Sequence, residues 1–295
     1  MLKLADIIEK GILFDSHSHF SDISISHDEI LRECESTGVE YIVDVSTDSK
    51  SLKKVLRTKA SYKDKILVAV GVHPEVLIPN TCVESEIKTN LDFEEEVRIL
   101  KDFFGFSDEN KVDSADLVGE CGLDYFQLDR LGLNPSERAQ NIERQKHLFK
   151  LHLEIASQKK LPITIHSRAS ESDTLKMLEN YLDKIPLIIL HSFTGTVEEA
   201  QKAREMGIHL GINGIITYKS AENVRLVVKT LLKGKNICTP KDLYSNGFLL
   251  ETDSPLLMPR NIKTKETQNT PARIKNIWDF VYNLLNEEKN PKTGF

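Results

Sequence analysis

What most constrains this chain is an alternation of short apolar runs, rich in Val and Ile, with longer amphipathic segments. The runs occupy residues 12–14, 41–45, 66–72, 117–119, 163–165, 187–190, 208–212 and 248–250. Runs that are apolar throughout suit strands buried on both faces, and amphipathic segments between them make βα units around a parallel sheet. About eight such units close a (β/α)8 TIM-type barrel, an α/β fold of roughly 250 residues. The 295 residues are therefore read as one domain, residues 1–295.

Residues 137–158 make the clearest helix, with apolar residues near helical spacing and Pro135 close to its start, where a proline is tolerated. Pro162 and Pro186 each precede a strand and end the helix before it. Residues 75–116 are too long for an ordinary connection and contain a charged helical segment at 93–104, so an elaborated loop plus helix is expected there. Residues 254–272 are polar and interrupted by prolines, which suits an active-site loop before a last helix at 274–285.

Six of the eight runs end in side chains that can bind a metal: His17 and His19 after the first, His73 after the third, Glu120 after the fourth, His166 after the fifth, His191 after the sixth and Asp253 after the eighth. In a barrel of this kind the carboxyl ends of the strands converge on one face, so residues far apart in sequence share a site. His17 and His19, two apart, project to one side of an extended strand. Neutral imidazole and ionised carboxylate are the lone-pair donors a divalent cation needs. A carboxylate such as Glu120 can bridge two ions, and a two-ion site can activate water while neutralising charge on a phosphate or carbonyl oxygen. Singly, each of these residues has an ordinary structural explanation; their joint placement at strand ends is what points to a metal site.

Composition narrows the partners. Four cysteines, Cys34, Cys82, Cys121 and Cys238, are scattered without C-x-x-C spacing, which fits a reducing compartment. The first fifteen residues lack an apolar signal core and no later run approaches a membrane span, so a soluble cytoplasmic protein is expected, with the nucleus left open and no membrane contact. A net charge of -6 without a basic stripe argues against a long electrostatic footprint on nucleic acid. Any strand must then be held mainly at the site.

Six segments, FDSHSH (14–19), GVHP (71–74), GECGLDY (119–125), IHSR (165–168), LHSFTG (190–195) and LETDSP (250–255), together resemble the ordered signature of the TatD-type deoxyribonucleases of the amidohydrolase superfamily. The resemblance spans the chain from the first strand to the eighth. It implies a TIM barrel and a DNase that uses two divalent ions, with His17, His19 and Asp253 around one, His166 and His191 around the other, and Glu120 between them. It also gives His73 a contact to the reacting phosphate. Glu75 stands where the family often has another histidine, and Phe20-Ser21 where it often has Leu-Asp.

The expected activity is 3'-5' exonucleolytic hydrolysis of DNA, in single-stranded or frayed form, with Asp253 accepting the proton of the attacking water and His73 stabilising developing charge. Arg168 is read as a bidentate phosphate contact or a surface ion pair, and Tyr125 as a stacking residue for a base or a cap on the barrel mouth. Zn, Mn and Mg are all open as the ion. Cys121 is read as wall packing, and His27, His147, His152 and His209 as structural. Two rivals stand beside this reading: hydrolysis of a carbonyl substrate, such as an amide or D-aminoacyl-tRNA ester, at the same site, and a non-catalytic binding scaffold.

Overall fold

The computed structural model describes residues 3–77, 93–105 and 115–286. In chain order its elements are α1 (Leu4–Lys10), β1 (Phe14–Ser18), α2 (His27–Thr37), β2 (Tyr41–Val45), α3 (Ser49–Ser61), β3 (Ile66–Val70), α4 (Phe93–Phe103), β4 (Leu117–Asp124), α5 (Tyr125–Arg130), α6 (Pro135–Lys159), β5 (Ile163–Arg168), α7 (Glu171–Leu178), β6 (Ile188–Leu190), α8 (Val197–Glu205), β7 (His209–Ile212), α9 (Glu222–Leu231), α10 (Pro240–Ser245), β8 (Phe248–Leu250) and α11 (Ile274–Asn286). The strands follow one another in the sheet in sequence order from β1 to β8, with helices interleaved, and the fold class is a (β/α)8 TIM-type barrel. Among the described residues no helix is long and apolar enough to cross a membrane. The expected helix at 93–104 forms as α4; the remainder of the 75–116 segment beyond the short turn at Pro74–Leu77 lies largely outside the described residues.

By internal contacts the chain forms two compact units. The first comprises Met1–Asp44, Tyr62–Ile66 and His191–Phe295. Here β1 pairs in parallel with β2, Phe14 opposite Tyr41 and Asp15 opposite Ile42, and the register slips between Asp15 and Ser18. β7 pairs in parallel with β8. The buried Phe14 ring meets Tyr244 of α10 edge-on, centroids 5.5 Å apart.

The second unit comprises Val45–Ser61 and Leu67–Leu190. β3, β4, β5 and β6 run parallel in that order, and the β4/β5 register slips between Val118 and Cys121. Gly119 stands in that irregularity with φ of 130°, and a Cβ there would overlap the Thr164 backbone, so only glycine fits. α6 begins at a capping box in which the Asn134 side chain accepts from the Ser136 and Glu137 amides, with Pro135 at the first helical position. Its inward stripe is Gln145, Leu148, Phe149, His152, Leu153 and Ala156, spaced three and four apart.

Three strands are longer than the apolar runs that announced them. β1 runs to Ser18 rather than stopping at Phe14, β4 to Asp124 rather than Gly119, and β5 to Arg168 rather than Ile165. In β1 and β4 the added residues include buried polar ones: Asp15 accepts from Thr252 and Asp124 from the Gln127 amide, while the Ser16 and Ser18 hydroxyls make no hydrogen bond among the described residues. Both register slips fall where a ligand-type residue stands, His17 in one and Glu120 in the other; a bulge re-aims a side chain in this way.

Candidate metal centre

In the first unit, His17, His19 and Asp253 place one donor atom each within 4.8 Å of one another. Asp253 Oδ1 is 3.5 Å from His19 Nε2 and 4.0 Å from His17 Nε2. Backbone bonds fix this arrangement: the Asp253 amide donates to the His17 carbonyl at 2.9 Å, and the His19 amide to the Ser254 carbonyl at 2.7 Å. Beneath them the fully buried Asp15 accepts from the amides of His17 and Thr252 and from the Thr252 hydroxyl. Burial pushes the Asp15 carboxyl well above its usual range. Burial would also raise Asp253, but the His19 hydrogen bond and the charges of His191, His19 and His17 prevail and hold it at about 2.

His191 belongs to the same unit, its ring stacked on His17 with centroids 3.8 Å apart and planes 13° from parallel. Glu251, wholly buried, sets the backbone beyond His191 by accepting the Ser192 amide at 2.6 Å and the Asn213 side-chain amide at 3.2 Å. Ser192 and Asp253 both adopt left-handed backbone, φ 49° and 54°, a strained conformation for residues with a side chain and one that clusters at functional sites.

In the second unit, Glu120 Oε1 lies 3.2 Å from His166 Nδ1 and 3.4 Å from His73 Nε2. His166 Nε2 is 3.0 Å from Asp124 Oδ2. Asp124 is itself held: its Oδ1 accepts the Gln127 amide, and Gln145 of α6 accepts the Asp124 amide at 2.8 Å while donating to its carbonyl at 3.2 Å. Burial would pull His166 down, but the hydrogen bonds to Asp124 and Glu120 and their charges outweigh it and push the imidazole up to about 9. His166 would have to give up its Nδ1 proton to hold a cation there, and its Nε2–H would remain on Asp124, the outer carboxylate that orients the ring. His73 differs. Its Nδ1 accepts the Glu75 amide at 3.2 Å, so its proton sits on Nε2, which makes it a donor toward Glu120 or an anion rather than a ligand.

The donors fit divalent cations. Two ligand atoms about 2.1 Å from a tetrahedral ion stand about 3.4 Å apart, close to the carboxylate–imidazole separations in both groups. Among the described residues no cysteine joins these groups, and burial raises the Cys121 thiol well above its usual range.

Of the other residues singled out by sequence, Arg168 is exposed, with its guanidinium 4.0 Å from the Phe126 ring centroid. Tyr125 is buried and its hydroxyl donates to Asp173 at 2.8 Å; the exposed ring beside it is Phe126. Asp15, Asp124 and Glu251 lie inside the FDSHSH, GECGLDY and LETDSP segments, but their orienting roles rest on contacts that no local pattern carries. Gln145 and His152 had a weaker signal, two polar residues seven apart on the otherwise apolar stripe of a helix. His152 is fully buried, and its Nε2 accepts the amide of Val72, next to His73, at 3.0 Å.

The family model for TatD related DNase matches residues 14–291. An uncharacterized metal-dependent hydrolase of Bacillus subtilis, YabD, is 28% identical over 275 residues, covering 92% of this chain and 91% of that protein. The 3'-5' ssDNA/RNA exonuclease TatD of Cronobacter sakazakii is 35% identical over 173 residues, 58% of each chain. Among solved structures, YJJV, a TatD homologue from Escherichia coli K12, superposes with a TM-score of 0.69 at 23% identity, covering 93% of this chain and 90% of that one. An uncharacterized amidohydrolase from Saccharomyces cerevisiae gives 0.67 at 17% identity, covering 93% and 94%. These two likenesses bear on the fold.

Proposed function

The chain belongs to the TatD related DNase family of metal-dependent hydrolases, and we propose that within it this protein is a 3'-5' exonuclease acting on single-stranded or frayed DNA ends. The observation that carries the reading is the pair of imidazole–carboxylate groups at strand ends, each with donor separations suited to one ion. His17, His19 and Asp253, with His191 stacked on His17, would hold one divalent ion, and Glu120 with His166 would supply ligands to a second. Zn, Mn and Mg all accept such donors. When bound, the ions lower the pKa of water at the site and offset negative charge on the phosphate.

The residues do the rest. Asp253, a carboxylate ionised at neutral pH, accepts the proton of the attacking water. His73, with its proton on Nε2, donates to the phosphate oxygen on which charge develops. Asp124 keeps His166 in the tautomer that leaves Nδ1 for a cation. Arg168, exposed two residues beyond His166, offers its planar fork to a phosphate. Several relatives are 3'-5' ssDNA/RNA exonucleases, which supports a polynucleotide substrate and brings RNA into the test.

Purified protein, stripped of metal and reloaded in turn with Zn, Mn and Mg, is assayed on end-labelled single-stranded DNA, duplex DNA, RNA and a D-aminoacyl-tRNA. Metal-dependent release of nucleotides from single-stranded 3' ends is the expected result. Turnover of the aminoacyl ester alone would replace the nuclease with a carbonyl hydrolase.

A further inference from the structure

Within the second unit, α5 carries Phe126, one of the few large apolar side chains on the surface, with 39% of its area exposed. The Arg168 guanidinium lies over its ring at 4.0 Å from the centroid, and Arg130, one helical turn beyond Phe126, reaches the same ring at 5.9 Å. Neighbouring cations are neutralised: Arg138 pairs with Asp129 at 2.7 Å and Lys146 with Asp173 at 2.8 Å. Among the described residues Arg130 and Arg168 have no carboxylate partner. In a chain of net charge -6, two unneutralised guanidiniums around one exposed ring form a local cationic, aromatic patch.

We infer that Phe126, Arg168 and Arg130 form a base-stacking and phosphate-holding subsite for a single-stranded polynucleotide, beside the ligand group that contains His166. The inference rests on the nuclease reading and deepens it. A guanidinium lying flat on an aromatic ring keeps its in-plane N–H donors pointing outward, where they suit phosphate oxygens. The exposed ring and the guanidinium plane are both surfaces on which an unpaired base stacks. Arg168 lies two residues beyond His166 on β5, about 7 Å along the strand, so a nucleotide held here adjoins the reacting phosphate. A duplex does not offer unstacked bases, whereas a single strand or a frayed end does. This supplies the physical reason for the strand preference. An acidic protein surface would engage the two arginines but not the ring face.

The test uses the full chain loaded with metal and a short single strand protected by phosphorothioate links, alongside the same strand with abasic sites at its 3' end. Phe126→Leu is expected to weaken binding of the base-bearing strand about tenfold and to leave binding of the abasic strand at the wild-type level; Phe126→Trp is expected to restore the base-bearing affinity. Arg168→Gln is expected to make the log–log salt slope shallower by about 0.7, one phosphate contact. Equal affinity of Phe126→Leu and wild type for the base-bearing strand overturns the subsite, as does an equal loss on both strands, which would leave a patch that senses charge alone. A wild-type protein that cleaves DNA with no dependence on Phe126 removes only the subsite. A wild-type protein that neither binds nor cleaves the strand removes the nuclease reading beneath it.

Discussion

Acid should weaken this protein through one buried histidine outside the metal groups. His152 is fully buried on the inner stripe of α6, with Nδ1 2.8 Å from the Leu148 carbonyl and Nε2 accepting the Val72 amide at 3.0 Å. That pattern requires the neutral ring, because a protonated Nε2 would face another donor. Burial drives the imidazole down from 6.5 to about 4, against the smaller upward pull of the Leu148 carbonyl. The folded state thus resists a proton that the unfolded chain accepts below about 6.5. Stability is fully present above that pH and is lost as pH falls from about 6.5 to about 4. A separation of roughly 2.5 pH units, at about 1.4 kcal/mol each, amounts to about 3.5 kcal/mol in all, about 3 kcal/mol of it lost by pH 4. His152→Gln keeps an acceptor for Val72 and removes the titration. Urea unfolding of metal-free protein, followed by far-UV circular dichroism between pH 7.5 and 4, should show wild type losing about 3 kcal/mol more than His152→Gln across that range. Parallel pH dependences of the two proteins would refute the reasoning. Because Val72 precedes His73, activity of the wild type should fall over the same window more steeply than that of the variant.

Asp124→Asn preserves the cap on α5 but removes the carboxylate behind His166, and chelator competition should show metal affinity reduced about 10- to 100-fold; unchanged affinity would detach Asp124 from the metal. Glu120→Gln should abolish turnover with the circular dichroism spectrum retained, and metal analysis should fall from two ions per chain to one; near-normal activity of the folded variant would require a different ligand set. Gly211→Ala places a Cβ against the Glu251 carboxylate, and overpacking there should cost about 1–3 kcal/mol in unfolding experiments, with reduced activity because Glu251 holds the Ser192 amide beside His191; a silent substitution would show that Glu251 shifts freely. Binding of a non-hydrolysable single strand to the metal-loaded protein should show a log–log salt slope near -1.5 to -3, from about two to four phosphates at about 0.7 each; a slope as steep as -6 would mean an extended basic surface.

The strand positions, the chief helices and the ligand-type residues were legible because they obey local rules. Val and Ile runs mark doubly buried strands, Asn134 and Pro135 mark the start of α6, and the histidines and carboxylates recur where those runs stop. The strand ends were underestimated for the same reason. Asp15, Ser16 and His17 read as the end of a buried run, yet β1 continues through them in full burial because Thr252 satisfies Asp15 and the backbone of Asp253 and Ser254 pairs with the end of the strand. Such compensation comes from residues more than two hundred positions away, and no local pattern carries it.

The sequence by itself determined which residues have the chemistry to bind metal and roughly where along each βα unit they stand, since donor type is a property of the side chain and spacing follows from element length. Only the tertiary structure decided their roles. It set Asp124 at Nε2 of His166, leaving Nδ1 facing Glu120, and gave His73 the Glu75 amide at Nδ1, so that the two histidines present different nitrogens to the same carboxylate. It buried Tyr125 against Asp173 and turned the next ring, Phe126, outward beneath Arg168. Protonation state, tautomer and exposure depend on the polar groups within a few ångströms of an atom, and folding chooses those neighbours from across the chain.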